Sequence, residues 1–354
     1  MFDKFWRLLT MDVGIDLGTA NTIVHVAGKG VVIRQPSVIA RHAKTKQILA
    51  IGEEAKKMLG KNPANIEVVR PLRDGVIADF DGAEAMLKHY IKEVHELYQG
   101  WGIKVVRPRV AVGIPSGVTE VERRAVQEAA LSAGARQAFL IEEPMAAAIG
   151  AGLPVEKAEG QMIVDIGGGT TEIGVISLGG LVLNRSLRIA GDELTEAVVN
   201  YVRLKHDLLL GEASAEEVKI GVGSAFILKK EEEGQPLQIV VRGRSLRDGL
   251  PKSLKLNSIE IREAMMGIIS QILGEITLVI EETPPELISD ILSRGMVLAG
   301  GGSLIRGLDN LISEETGMPV WVTDKPMEAV VRGCAKVLED PKLLKKVRVT
   351  GGLK

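Results

Sequence analysis

The feature that constrains this chain most is a pattern that occurs twice, in which a short apolar strand delivers an aspartate into a glycine-rich turn and another apolar strand follows. The first copy is Gly14-Ile-Asp-Leu-Gly-Thr-Ala-Asn-Thr22 and the second is Asp165-Ile-Gly-Gly-Gly-Thr-Thr171. A helix follows a Walker-type or dinucleotide-binding loop, so the strand that follows here argues against both of those folds. The repetition predicts two related α/β lobes, each built on a β-hairpin.

Both turns suit a polyphosphate, because glycines allow backbone N–H groups to approach phosphate oxygens closely. Asp16 and Asp165 stand at strand ends, where a carboxylate can hold Mg²⁺ through water. For either copy alone, the alternative is an ordinary glycine-rich hairpin without a ligand. Because the pattern occurs twice, this alternative is less favoured. A third glycine turn, Met296-Val-Leu-Ala-Gly-Gly-Gly-Ser303, lacks the aspartate and is predicted to face the nucleoside.

Composition and length exclude several classes of protein. The net charge of −2 gives no reason to expect a nucleic-acid partner, since counterion release needs a basic face. Cys334 is the only cysteine, so no intrachain disulfide can form, and the five histidines show no zinc spacing. These features fit a reducing cytoplasm. No uninterrupted apolar run approaches the roughly 18–20 residues that span a bilayer, and the first ten residues are too short for a signal peptide, so we expect no integral membrane segment.

Two apolar segments are candidates for contact with a membrane surface. Aromatic residues make up only 3% of the chain, yet three of them fall in the first six positions. With Leu9 they lie at helical spacing and predict an interfacial anchor; a frayed terminus packed on a lobe and an oligomer contact are the alternatives. A glycine loop further on predicts a second contact with a bilayer or a partner, and a loop tucked under a lobe is the alternative. The residues concerned are Phe2, Phe5, Trp6, Leu9, Trp101 and Ile103.

Other polar residues are candidates for chemistry, each with a structural alternative. Glu143 stands with Glu142 at a predicted strand end, where a carboxylate can be catalytic, but acidic groups there also stabilise the N-terminus of a following helix. Glu216 and Lys219, three apart on a predicted helix, can bracket a ribose or form a solvated ion pair. The helix that begins at Gly191 is expected to extend to about Leu210.

In this order, the two aspartate hairpins, the acidic strand end and the third glycine turn resemble the actin/DnaK-type ATPase superfamily. Within it, the chain is similar to the MreB family of bacterial cell-shape proteins. The first glycine motif alone would indicate only the superfamily. The more specific segments are Arg70-Pro-Leu-Arg-Asp-Gly75 and Glu142-Glu-Pro-Met-Ala-Ala-Ala148, and Thr283-Pro-Pro-Glu-Leu287 extends the likeness.

The resemblance implies an α/β actin-like ATPase fold of two lobes, each with a mixed five-stranded sheet and flanking helices, with ATP in the cleft between them. It implies that Asp16 and Asp165 orient hydrated Mg²⁺. Glu143 and Thr170 would position the water that attacks the γ-phosphate. The other implied nucleotide contacts are Gly18, Thr19, Ala20, Asn21, Gly167, Gly168, Gly169, Glu216, Lys219, Gly300, Gly301 and Gly302.

The resemblance also implies a domain organisation and a cellular role. A membrane-contact segment (1–10) precedes lobe I (11–152, with a small insertion at about 33–77) and lobe II (153–324, with one at about 194–256); residues 325–354 return to lobe I. The implied activity is ATP hydrolysis coupled to homopolymer filaments. Such filaments are cytoplasmic, lie peripherally at the inner face of the cell membrane, and organise cell-wall synthesis with partners of the RodZ, MreC and MreD type, which maintains rod shape.

Two other classes of protein use the same pair of phosphate-binding hairpins, which we call the phosphate clamp. A DnaK-type chaperone ATPase needs a peptide-binding domain after the clamp, and we expect no room for one before Lys354. A small-molecule kinase of this fold needs an acceptor pocket and, for a hydroxyl acceptor, a general base. Asp192 is a candidate base, but its Gly-Asp-Glu-Leu setting matches the filament family instead.

Overall fold

The computed structural model describes residues 12–98 and 107–349. Two five-stranded mixed sheets form its framework, and each defines a lobe. Lobe I has the strand order β10-β9-β1-β2-β3, with β1 (Val13–Leu17), β2 (Asn21–Val26), β3 (Gly30–Pro36), β9 (Arg109–Ile114) and β10 (Gln137–Glu142). Lobe II has the order β13-β12-β11-β17-β18, with β11 (Gln161–Ile166), β12 (Thr171–Ser177), β13 (Gly180–Leu187), β17 (Met296–Ala299) and β18 (Val320–Val322).

The two sheets are built in the same way. In each, the first three strands form an antiparallel meander and the last two add in parallel on the other side of the first strand. The hairpins β1–β2 and β11–β12 therefore occupy equivalent places. The prediction of two related α/β lobes with mixed five-stranded sheets is confirmed.

Three smaller sheets extend the lobes. In lobe I, β4 (Ile39–His42), β5 (Ile48–Ile51) and β6 (Ile66–Val69) form one sheet, and β7 (Leu72–Arg73) and β8 (Val76–Ile77) form a hairpin. In lobe II, β14 (Leu208–Leu209), β15 (Gln238–Ser245) and β16 (Pro251–Asn257) form another. These sheets lie at 39–77 and 208–257, close to the ranges of about 33–77 and 194–256 expected for the insertions, and the domain boundaries themselves stay predictions.

Helices flank the sheets on both lobes. Lobe I carries α1 (Glu53–Met58), α2 (Phe80–Tyr98), α3 (Glu120–Ser132) and α4 (Glu143–Ala151). Lobe II carries α5 (Gly191–His206), α6 (Glu212–Val222), α7 (Lys229–Glu232), α8 (Ser258–Glu282), α9 (Pro285–Arg294) and α10 (Leu308–Thr316). The last two helices are α11 (Ala329–Glu339) and α12 (Pro341–Val347).

One sequence expectation needs correction. Helix α5 ends at His206 and not near Leu210, because Asp207 adopts a left-handed φ of 52° and the next two residues pair with β15.

Helix α8 is long and apolar enough, by length and average composition, to cross a membrane. One face of α8 packs in the core of lobe II, so we interpret it as a core helix; the residues of this face are Ile261, Met265, Ile269, Ile272, Ile276 and Val279.

Helices α4 and α11 cross beneath the space between the lobes, and both backbones approach closely. A Cβ placed on Gly150 would overlap the carbonyl oxygen of Ala329, and one on Gly333 would overlap that of Ala146. The two contacts are reciprocal, since each helix offers an alanine and, four residues later, a glycine. A separate apolar core surrounds this crossing and contacts both sheets through residues such as Ala111 and Ile163.

The predicted membrane-contact residues Phe2, Phe5, Trp6, Leu9, Trp101 and Ile103 lie outside the described residues. The described chain nevertheless shows where their segments join it. Strands β1 and β9 are parallel neighbours with Val13 opposite Val110, and the Arg109 Nε donates to Asp12 Oδ1 at 2.9 Å. Residues 12 and 107–109 therefore stand at the same edge of the lobe I sheet.

Candidate functional site

A cleft of about 370 Å³ lies between the two lobes above the α4–α11 crossing. Its volume is in the range of small-molecule binding sites. Every described residue that the sequence analysis placed at the nucleotide or the metal lines this one cleft. They are Asp16, Gly18, Thr19, Ala20, Asn21, Glu143, Asp165, Gly167, Gly168, Gly169, Thr170, Glu216, Lys219, Gly300, Gly301 and Gly302.

The two hairpins place their aspartates and glycines symmetrically. Asp16 and Asp165 are each the last residue but one of their strand, so both carboxylates lie where a strand enters its turn. The turns themselves touch across the cleft: a Cβ on Gly168 would lie 2.5 Å from the Ala20 Cβ, and one on Gly169 2.7 Å from Thr19 Oγ1. Glycine is required at these positions because the opposing turn occupies the space of a side chain.

The floor of the cleft concentrates negative charge. Within the part of the chain that the structure describes, the carboxylates of Asp16, Glu143 and Asp165 accept no hydrogen bond from the protein. Burial raises the pKa of Asp16 to about 7. Burial is also the main reason why the pKa values of Glu143 and Asp165 are raised, and the neighbouring carboxylates raise them further. Acidic groups without a partner are costly to bury, so this arrangement is suited to a bound cation.

Glu143 reaches the cleft through a direct strand-to-helix junction. Strand β10 ends at Glu142, Glu143 is the first residue of α4, and Pro144 follows in the first helical turn. The Glu143 side chain is buried, and the preceding N-cap residue, Glu142, makes no side-chain hydrogen bond to the helix end. Both readings of this glutamate are thus compatible with the structure, since it stands at a helix N-terminus and also lines the cleft.

Glu216 and Lys219 form an ion pair and also face the cleft. Lys219 Nζ lies 2.6 Å from Glu216 Oε2 and donates to the Gly191 carbonyl oxygen at 2.7 Å. Burial opposes ionisation of Glu216, but Lys219 and the Thr195 hydroxyl outweigh it, so the pKa of Glu216 is lowered. The pair therefore lies at the wall of the cleft with the carboxylate form of Glu216 favoured, so the ion pair is observed while the ribose contact stays a prediction.

The third glycine turn packs against the second hairpin. Gly300 has a φ of 77°, and a Cβ there would lie 2.5 Å from Asp165 Oδ1. The turn continues into a short 3₁₀ helix, Gly302–Leu304, whose apolar end helps to line the cleft. The same end of the cleft is lined by Ile220 and Met327, which is an apolar setting suited to a planar base.

The sequence analysis assigned no role to several residues of this site. Gly75 lies at the tip of the β7–β8 hairpin, its amide donates to Thr19 Oγ1 at 3.2 Å, and a Cβ there would be 2.7 Å from the Thr170 methyl group. Its Asp74-Gly75 dipeptide is a hairpin signal, although nothing local tells where the hairpin points. Arg306 donates to the carbonyl oxygens of Ile220 and Gly223 and so ties α6 to the third turn.

One further contact bridges the lobes at the mouth of the cleft. Arg70, which follows β6 in lobe I, forms ion pairs with Asp192 at the start of α5 and with Glu212 at the start of α6, both in lobe II. Asp192 thus has a cationic partner across the cleft at 3.3 Å. Burial raises the pKa of Asp192, and Arg70 and Lys219 partly offset that effect.

Comparisons with known proteins agree with this geometry. A model of the MreB/Mbl protein family matches residues 10–346. The cell shape-determining protein MreB of Escherichia coli strain K12 is 51% identical over 343 residues, which cover 96% of each chain. The crystal structure of MreB5 of Spiroplasma citri bound to ADP has a TM-score of 0.87 at 35% identity, covering 95% of this chain and 98% of that one. Its AMPPNP-bound form has a TM-score of 0.86 at 35% identity, covering 95% and 97%. The likeness confirms the predicted actin-like fold.

Proposed function

Because this chain belongs to the MreB/Mbl family, we propose that it is an ATP-binding and ATP-hydrolysing cytoskeletal protein that polymerises into filaments and helps to determine cell shape. The observation that carries this proposal is the interlobe cleft in which two aspartate hairpins from different lobes face each other. A nucleotide held there touches both lobes, so its state can change their relative position. A kinase reading is not favoured, because its candidate base Asp192 is paired with Arg70.

The cleft offers a complementary group for each part of Mg-ATP. Gly167–Gly169 and the turn with Gly18, Thr19 and Asn21 would hold the phosphates by backbone N–H and hydroxyl groups. The Glu216–Lys219 pair would hold the ribose, and the third glycine turn would border the adenosine. The solved structures of the Spiroplasma citri protein with ADP and with AMPPNP support this assignment.

Mg²⁺ fits the acidic floor of this cleft. Asp16 and Asp165 have raised pKa values, caused first by burial, and no protein donor among the described residues offsets their charge. Side chains that could ligate one ion directly are not grouped in the described residues, so the two aspartates would hold the ion through its water shell, which Mg²⁺ retains readily. When bound, the ion would supply neutralisation of charge on the β- and γ-phosphates.

Hydrolysis at this site would depend on positioning. A water oxygen forms a bond to the γ-phosphorus while the bond from that phosphorus to the β–γ bridging oxygen breaks, and ADP and inorganic phosphate result, the water's protons passing to phosphate and solvent. Glu143 would accept a hydrogen bond from this water and aim its lone pair at phosphorus. The Thr170 hydroxyl would fix the water from lobe II, which makes the alignment dependent on both lobes.

Single-turnover kinetics test these roles. We expect Glu143→Ala and Thr170→Ala to bind ATP with little loss and to hydrolyse it about 10²-fold more slowly or worse, because each change touches the water and few of the phosphate contacts. Filaments of both variants should persist longer after ATP is added. Asp324→Asn is the control, since its side chain is exposed and does not line the cleft. Unchanged single-turnover rates would show that other groups position the water.

The cellular part of the proposal extends beyond the cleft. We infer cytoplasmic filaments attached at the inner face of the membrane through Phe2, Phe5, Trp6, Leu9, Trp101 and Ile103. This inference is supported by the position of Asp12 and Arg109, which lie close in sequence to the two segments and form a pair at the same edge of the lobe I sheet. Partners of the RodZ, MreC and MreD type would link such filaments to cell-wall synthesis. The domain boundaries 11–152, 153–324 and 325–354, with the small insertions at about 33–77 and 194–256, belong to the same proposal.

A further inference from the structure

Glu172 is an acidic residue of the second hairpin that the proposed chemistry leaves without a role. It lies on β12, directly across the hairpin from Asp165, and only 1% of it is exposed. It stands behind the described lining of the cleft and would not touch the nucleotide. Such a buried carboxylate is costly unless its oxygens receive hydrogen bonds, so its partners indicate what it does.

Both oxygens of Glu172 have donors, and the donors come from different lobes. The Ser116 amide, in the lobe I loop between β9 and α3, donates to Oε2 at 3.1 Å. The Ser186 hydroxyl, on β13 of lobe II, donates to Oε1. Glu172 therefore differs from Asp16, Glu143 and Asp165, which within the described chain accept nothing from the protein. Its carboxylate is a tie between the lobes and not a free ligand.

The tie lies next to the groups that would position the water. Glu172 is two residues from Thr170, and among the neighbouring charges that raise the pKa of Glu143, after burial, that of Glu172 is the largest. The loop that carries Ser116 also contacts the β7–β8 turn, because a Cβ on Gly75 would lie 2.8 Å from Pro115 Cγ and 2.7 Å from the Thr170 methyl group. Lobe I thus holds this end of the hairpin through two adjacent loops.

We propose that Glu172 is a positioning residue for hydrolysis, which couples closure of the lobes to alignment of the water by accepting the Ser116 amide. When the lobes are closed, the bond holds Thr170 and Glu143 in one geometry. When they open, the Ser116 amide leaves and the hairpin end is released. This inference rests on the proposed hydrolysis and adds a reason why closure of the cleft would accelerate it.

Two conservative variants separate the effect of the Ser116–Glu172 hydrogen bond from the effect of the negative charge on Glu172. Glu172→Gln removes the charge but keeps an acceptor oxygen for the Ser116 amide, and its –NH₂ group can donate to the Ser186 oxygen. Glu172→Asp keeps the charge but is one methylene shorter, so it cannot reach both donors. We expect Glu172→Asp to lower the single-turnover rate about tenfold or more, which corresponds to roughly 1.4 kcal/mol, with ATP affinity changed less than about twofold. Glu172→Gln should stay close to the unmutated rate.

Amide hydrogen exchange gives a second readout that does not need turnover. With AMPPNP bound, residues 116–119 should exchange slowly in the unmutated protein and in Glu172→Gln, and faster in Glu172→Asp. If the unmutated protein binds AMPPNP but does not hydrolyse ATP, the proposed function fails on hydrolysis, and this exchange still reports on the tie. Equal exchange in all three proteins would contradict the proposal that Glu172 links the lobes through the Ser116 amide. An unchanged rate in Glu172→Asp, or a loss in Glu172→Gln as large as in Glu172→Asp, would overturn the positioning role.

Discussion

At the scale of single residues, the buried carboxylates at the floor of the cleft suit a bound cation but lower the free energy of unfolding near neutral pH. Asp16 has a pKa of about 7 in the folded protein, raised by burial, against an ordinary value of 3.8. Between these values the folded state binds more protons than the unfolded state, so the stabilising contribution of this group is complete below about pH 4 and is lost as the pH rises to about 7. Sites that bind charged ligands commonly carry such a cost.

This predicts the pH dependence of an Asp16→Asn variant. In the absence of Mg²⁺ and nucleotide, the difference in unfolding temperature between the variant and the unmutated protein should grow in favour of the variant as the pH rises from 4 to 8. The reason is that asparagine carries no charge to bury. Mg-dependent ATP binding should weaken in the same variant and in Asp165→Asn. The matched control is Asp324→Asn, whose side chain is 86% exposed and should show neither effect. A variant that is less stable than the parent at pH 8 would contradict the argument.

At the scale of elements, the crossing of α4 and α11 controls how the two lobes meet. Alanine at Gly333 would force its Cβ into the Ala146 carbonyl group and push the helices apart. Val330 of α11 also lines the cleft, and the helix packs so closely on β1 that a Cβ on Gly14 would lie 2.8 Å from the Val331 carbonyl oxygen. A shift of α11 would therefore disturb the cleft floor directly above it.

Two glycine substitutions in helices provide a matched pair for this point. Gly333→Ala should lower the free energy of unfolding by about 1–3 kcal/mol or more, the usual cost of overpacking. Gly267→Ala, on the exposed side of α8 with open space around its Cα, should raise it by about 0.5–1 kcal/mol, because alanine favours the helix. Urea denaturation of both variants measures the difference. A stabilising Gly333→Ala would mean that the crossing is loosely packed.

The same elements show what sequence could and could not predict. The aspartate hairpins were predictable because strand, turn and glycine preferences are local. The pairing of Gly150 with Gly333 was not, because it joins glycines far apart in the chain. The end of α5 was missed because Asp207 is held by Leu246 and Arg247, which are also distant in sequence. The place of Gly75 at the cleft depended on tertiary packing in the same way.

At the scale of the whole molecule, membrane attachment would combine weak contacts. Full burial of a large apolar side chain contributes about 1.5–3 kcal/mol, but burial at an interface is partial and ordering a short segment offsets much of the gain. A monomer should therefore bind poorly. A filament presents the same patch repeatedly, so that later contacts form at high effective concentration. Polymerisation would then control where the protein lies.

Liposome co-sedimentation tests this expectation. With anionic lipid and ATP, the unmutated protein should pellet with liposomes, whereas a Phe5→Ala/Trp6→Ala variant and a polymerisation-deficient variant should remain largely in solution. Each protein is compared with its own lipid-free control, because filaments sediment unaided. If all three pellet equally with lipid above those controls, neither the anchor nor the repeated contacts explain attachment.

The central claim is that nucleotide in the interlobe cleft drives self-association of this chain. It is tested most directly by sedimentation over a series of protein concentrations, with Mg-ATP, with ADP and without nucleotide. We predict that with Mg-ATP the concentration of pelleted protein is negligible below a threshold total concentration and rises linearly with total concentration above it. We also predict that Asp165→Ala, whose Mg-dependent nucleotide binding should be weaker, shifts the threshold upward. Sedimentation that shows no threshold, or that is the same with and without nucleotide, would contradict the account.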